Sequence, residues 1–153
     1  MQQLIRLAEI TMDNSAQIAN MLSSDKLLAK ANGSDLIPVT PKDFFDKTKK
    51  WQIATNSESY IISLGNSSIG MISLSHISGT TARVGYWIAS DEWHKGYGTQ
   101  AFNLLLAVAK KRGIKTVAST INLDNIASLR IWEKAGAEIN KSGNKAEAQI
   151  FLS

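Results

Sequence analysis

Five consecutive residues, Lys95-Gly96-Tyr97-Gly98-Thr99, set two glycines directly before a long apolar-striped run. Glycine admits positive φ and has no Cβ to hold a ligand away. Where a helix begins, its first N–H groups lack intrahelical partners and its dipole favours negative charge. A glycine turn at such a point is an anion cradle, suited above all to phosphate. It fits neither common nucleotide fingerprint. A dinucleotide loop needs a third glycine where Ala101 and Phe102 stand, and a P-loop carries its lysine after the glycines, whereas Lys95 precedes them. On these five residues alone, a plain tight turn is the alternative. Other side chains with usable chemistry are His76, at the end of a β-rich run and able to titrate near neutrality, and His94, inside the glycine loop. Ser128 follows Asn122 and Asn125 and can serve either as a proton donor or as a helix cap.

The elements that must position these residues are legible from period and punctuation. Arg83 to Ala89 reads as a strand entering the glycine loop, and Thr99–Arg112 reads as a helix. Its stripe is Phe102, Leu105, Leu106 and Ala109, with Gly113 as its stop. Thr116–Ile121 is a short strand, so strand, helix and strand span about 40 residues, enough for a parallel crossover. Asn125–Ala135 is a further helix stopped at Gly136. Two short strands, Ala137–Asn140 and Ala146–Leu152, turn at Ser142-Gly143-Asn144. Upstream, Leu4 to Ile10 opens as a strand, and Thr11 and Asp13 cap a helix carrying Ile18, Met21 and Leu22. Ser23–Val39 reads as a short helix and loop. Thr40-Pro41 starts another helix, with proline at its first position. Tyr60–Leu64 and Ile69–Ile77 form a hairpin across Gly65-Asn66-Ser67-Ser68. The expected class is α/β: a mixed sheet of six to seven strands, mostly antiparallel, with one central parallel pair and flanking helices.

Two blocks extend beyond the loop. Gly85-Tyr86-Trp87-Ile88 followed by Trp93-x-Lys95-Gly96-Tyr97-Gly98-Thr99 resembles the acyl-CoA-binding motif of the GNAT superfamily of N-acyltransferases. Asn122-x-x-Asn125-x-x-Ser128-x-x-x-Trp132-Glu133-Lys134-x-Gly136 resembles the next motif of that superfamily, in the right order and separation. The resemblance is closest to the branch that acetylates protein N-termini, such as the ribosomal-protein (RimJ/RimL-like) acetyltransferases. It implies a central parallel pair splayed apart around acetyl-CoA. It also implies pantetheine along the backbone of Trp87, Ile88 and Ala89, and pyrophosphate on the N–H groups of Lys95, Gly96, Tyr97, Gly98 and Thr99. Asn122 and Asn125 would hold the pantetheine amides or the incoming substrate. The reaction implied is direct attack of an amine on the thioester in a ternary complex, without metal.

Three positions depart from the family pattern. Trp93 stands where Gln or Arg is usual, and Gln100 replaces a frequent Glu. Trp132 stands where a tyrosine commonly protonates the departing thiolate. An indole is no useful acid, so Trp132 is expected in the core and Ser128 becomes the candidate acid. His76 is the candidate base; Asp91 and Glu92 fall on the wrong side of the expected thioester. An α-amine with a pKa of about 7.7–8.0 sheds its proton for about 1 kcal/mol at pH 7, a lysine amine for about 4.6 kcal/mol. A site without a strong base therefore suits an N-terminal α-amine. A small amine (amino acid, polyamine or amino sugar) is the alternative acceptor, and a non-catalytic acyl-CoA-binding module or a basic interaction domain are the alternative classes.

At 153 residues the chain is expected to form one domain over residues 1–153. Its composition, 44% hydrophobic and 20% charged, is that of an ordinary globular protein. It has no cysteine, which excludes disulfides, thiolate metal sites and a cysteine nucleophile. No apolar run approaches a membrane span and no signal peptide is evident, so a cytoplasmic location is the simple expectation. The net charge of +4 comes partly from Lys47, Lys49, Lys50 and Lys110, Lys111, Arg112, which end helices and oppose their dipoles. Neither run is interleaved with stacking aromatics, so no nucleic-acid partner is expected. A monomer or homodimer is expected.

Overall fold

The computed structural model describes residues 4–36 and 38–152. Ile37, within the loop expected between Ser23 and Val39, lies outside the described residues, as do residues 1–3 and 153. Strand β1 (Ile5–Ala8) leads into α1 (Met12–Ser24), α2 (Lys26–Ala31) and α3 (Pro41–Thr55). Strands β2 (Glu58–Leu64), β3 (Ser67–Ser78) and β4 (Thr81–Ile88) follow. A 3-10 turn (Ser90–Glu92), helix α4 (Tyr97–Lys111), strand β5 (Thr116–Asn122), helix α5 (Ile126–Lys134) and strands β6 (Glu138–Ser142) and β7 (Lys145–Phe151) complete the chain.

The expected caps of α1 and α3 are made. Thr11 Oγ1 accepts from the Asn14 N–H while Asn14 Oδ1 accepts from the Thr11 N–H. Thr40 caps α3 ahead of Pro41, and Asp25 caps α2. The expected elements recur within a few residues of their sequence bounds, except that α3 runs on to Thr55, so Lys47, Lys49 and Lys50 lie inside it and not at its end. Only the 3-10 turn had no counterpart, because three residues carry no periodicity to read.

The seven strands form one sheet in the order β1-β2-β3-β4-β5-β7-β6, antiparallel except for β4 and β5. That parallel pair is joined through α4, as a crossover requires. Side chains alternate across β4. Ala82, Val84 and Ile88 enter the larger core with Phe102, Leu105 and Ala109 of α4 and Leu129 and Trp132 of α5. Trp87 faces the smaller core, built from Ile18 and Ala19 of α1, Phe44 of α3 and Ile61. Trp132 is 1% exposed and meets Phe102 edge-on at 5.0 Å between centroids, so it is a core residue. No helix among the described residues is long and apolar enough to cross a membrane.

Candidate active site

The parallel pair is short. Thr81, Ala82 and Arg83 register with Thr116, Val117 and Ala118, and pairing stops there. Beyond it β4 stays on β3 as far as Ile88, while β5 stays on β7 as far as Asn122. The two strands therefore diverge into a V. Because backbone groups point alternately to either side of a strand, half of those on β4 after Arg83 face the gap without a strand partner.

At the vertex a polar cluster bridges the diverging strands. Arg83 donates to Glu147 (3.0 Å) and to Thr120 (2.9 Å), and Thr120 donates to Glu147 (2.6 Å). The Thr120 hydroxyl, then the Arg83 guanidinium, hold the Glu147 carboxyl below the usual range. It stays ionised and is a weak proton acceptor.

Helix α4 starts at the open mouth of the V. Its N-cap is Gly96 at φ 83°, and no side chain caps it, whereas α1, α2, α3 and α5 are each capped by a Thr, Asp or Asn side chain. The first intrahelical bond runs from the Gln100 N–H to the Gly96 carbonyl (3.2 Å); among the described residues Tyr97, Gly98 and Thr99 N–H groups have no acceptor. His94 (φ 64°) and Gly96 take positive φ on either side of Lys95, so the loop alternates in sign. Successive N–H groups in such an alternation converge into an anion-binding concavity. Nothing stands within 4 Å of where a Gly96 Cβ would lie. Gly98 differs: its Cβ would sit 3.3 Å from Ile131 Cδ1 and 3.8 Å from Tyr86 Cε2, so its bareness lets α4 close on α5 and β4. Lys95 pairs with Glu92 (3.3 Å), and the Trp93 indole donates to the Ile88 carbonyl (2.7 Å), pinning the loop to the end of β4.

Across the gap, α5 begins at Asn125, whose Oδ1 accepts from the Ser128 N–H (3.2 Å). Asn125 is thus the cap and Ser128 is not; its hydroxyl, on a buried residue, neighbours the Tyr86 phenol. Burial raises Tyr86 above its ordinary 10.0, the Ser128 hydroxyl lowering it in part, so the phenol keeps its proton. Tyr86 lies on β4 beyond the last parallel rung, so its phenol faces the start of α5. The motif contained Tyr86, but only the fold reveals its neighbour. Asn122 ends β5, exposed, and its carbonyl accepts from the Asn125 N–H (2.9 Å).

The structure therefore gathers Trp87, Ile88, Ala89, the 95–99 loop, Asn122, Asn125 and Ser128 around one opening. It does not bring His76 there. His76 sits exposed in a bulge of β3 at φ 50°, its N–H donating to Ser57 Oγ (3.1 Å). That bulge lies past the Ser75–Arg83 rung, at the closed end of the V and on the far side of β4 from β5. Asp25 was not singled out by sequence. Its carboxylate accepts from the Ser90 hydroxyl (2.6 Å) and N–H (2.7 Å), tying the α1–α2 junction to the turn after β4. Burial alone would raise its pKa; the Ser90 and Leu28 hydrogen bonds outweigh that and lower it. Among the described residues no cluster of three His, Cys, Asp or Glu side chains is placed to hold a metal ion.

A splayed parallel pair, an uncapped glycine-led helix at its mouth and a hydroxyl across the gap are the features on which the whole-chain comparison bears. Residues 5–138 match the family model for the GNAT acetyltransferase domain. The chain belongs to the GNAT acetyltransferase family. No curated protein matches the sequence significantly. Among solved structures, this GNAT domain is similar to RimL, a ribosomal alpha-N-protein acetyltransferase in complex with coenzyme A. The TM-score is 0.79 at 14% identity, covering 97% of this chain and 94% of that one. The microcin self-immunity acetyltransferase MccE, in complex with acetyl-CoA and AMP, gives 0.79 at 17% identity, covering 97% and 93%. YncA, a putative acetyltransferase from Salmonella typhimurium with acetyl-CoA, gives 0.75 at 16% identity, covering 97% and 94%. At such identities the likeness establishes the GNAT fold. Membership of the family makes the chain an acyltransferase.

Proposed function

We propose that this single-domain GNAT enzyme transfers the acetyl group of acetyl-CoA to the α-amine of a peptide or protein N-terminus. The observation that carries the cofactor half is the uncapped start of α4 at the mouth of the splayed strands. The pyrophosphate of acetyl-CoA occupies the N–H groups of Lys95 to Thr99, where fixed dipoles meet its charge. The pantetheine runs along the gap-facing backbone between Trp87 and Ala89. Asn125, its oxygen engaged by Ser128, offers its amide N–H to a pantetheine carbonyl, and Asn122 contributes from the end of β5. The CoA complexes of RimL, MccE and YncA support this reading.

The neutral amine attacks the thioester carbonyl and forms the C–N bond, the C–S bond breaks, and the proton shed by the attacking nitrogen passes through the Ser128 hydroxyl, beside Tyr86, to the departing thiolate. The α-amine reading is supported by proton economics. Glu147 is held ionised and His76 lies apart, so an amine already partly neutral near pH 7 has the advantage. Thiol release from acetyl-CoA, followed with matched free and N-blocked peptides, tests the assignment. Release is expected with the free N-terminus; equal rates for both peptides would contradict it.

A further inference from the structure

On the sheet face opposite α4 lies an open groove of about 450 Å³, within the size range of small-ligand pockets. Its floor is one rung of small residues in register: Ser59 on β2, Ser73 on β3 and Gly85 on β4. The next rung, Ile61, Met71 and Trp87, is large, so the floor steps down against a wall made by Met71 and Trp87. Helix α3 supplies the other wall through Trp51, which is 37% exposed, and Lys47. Lys47 is the one charged residue in the lining, and it makes no ion pair among the described residues.

Gly85 and Trp87 lie past the last parallel rung, on the strand segment whose opposite face packs Ile88 into the α4 core. The groove and the anion cradle thus occupy opposite faces of one splayed segment. A chain held in the groove reaches the gap from the side away from the cradle. Resting on the α-amine reading above, we propose that this groove binds the acceptor peptide just behind its N-terminus. It takes a bulky apolar side chain between Trp51 and Trp87 and a neighbouring carboxylate at Lys47. Two tryptophans and a methionine favour the apolar side chain, and the unpaired ammonium of Lys47 at their edge favours an acidic partner over a basic one.

The test uses the full chain, acetyl-CoA and peptides with Leu or Phe at the second position and Asp, Gly or Lys at the third. The acidic peptide is expected to show a KM at least tenfold below that of the lysine peptide. Lys47→Glu should reverse that order. Gly85→Leu fills the floor, where a Cβ meets only Ser73 Oγ at 3.9 Å, and should raise KM for the apolar peptides at least tenfold. Trp51→Ala, at an exposed position, should act in the same direction and guards against a folding defect in the glycine variant. Peptide acetylation that continues with KM unmoved by all three variants would overturn the groove while leaving the enzyme assignment intact. Transfer to small amines with none to any peptide would overturn both.

Discussion

Ser128 lies one helical turn before Trp132, and that spacing decides where a proton can come from. Trp132 is spent on the core against Phe102, and truncating it to alanine should cost about 3–5 kcal/mol, read by denaturant unfolding. Ser128, by contrast, faces the Tyr86 phenol. Ser128→Ala should lower kcat about 10- to 100-fold with KM for acetyl-CoA nearly unchanged, as loss of one proton-transfer group would. Tyr86→Phe should lower it less and shift the alkaline limb of the rate profile. Unchanged turnover in both would remove the pair from the reaction. Ser128 was visible from its motif; that it is not the helix cap was not, because Asn125 takes that place. His76 looked serviceable only because a strand end gives no hint of which end of the V it occupies.

At the scale of elements, the glycine loop divides into two jobs that sequence reading merged. Gly96 provides the left-handed turn with open space above it, and Gly98 provides the close approach of α4 to Ile131 and Tyr86. Gly96→Val should weaken CoA binding at least tenfold by calorimetry, since it strains the turn and covers the cradle. Gly98→Val should instead appear first as a loss of thermal stability. Helices and strands were legible because caps and periods are local: Thr40-Pro41, Asn125 and Gly113 each act within one turn. The links that shape the site are not local. Asp25 reaches Ser90 and Arg83 reaches Glu147 across more than sixty residues, and no pattern within either segment marks the partner. The groove likewise needs three strands in register before Ser59, Ser73 and Gly85 become one floor.

For the whole molecule, these long-range carboxylates set the acid limit of stability. Asp25 and Glu147 are both lowered from their ordinary 3.8 and 4.5. A lowered carboxyl contributes stability that is complete above its unfolded pKa and is lost as pH falls through its folded one. Stability should therefore hold from neutrality down to about pH 4.5 and decline below it. Asp25→Asn and Glu147→Gln should each flatten that decline in denaturant titrations; the second effect is small, about 1 kcal/mol or less, because the Arg83 pair is exposed. In the proposed reading, cofactor phosphate lies on one face of β4 and the acceptor on the other. Its central claim is acetyl transfer to an α-amine at the gap between them. The most direct measurement is mass mapping of a peptide with a free N-terminus and an internal lysine after reaction with acetyl-CoA near pH 7. Label mainly on the N-terminal residue, rising with pH through the α-amine pKa, is the expected result; label mainly on the lysine side chain would contradict it.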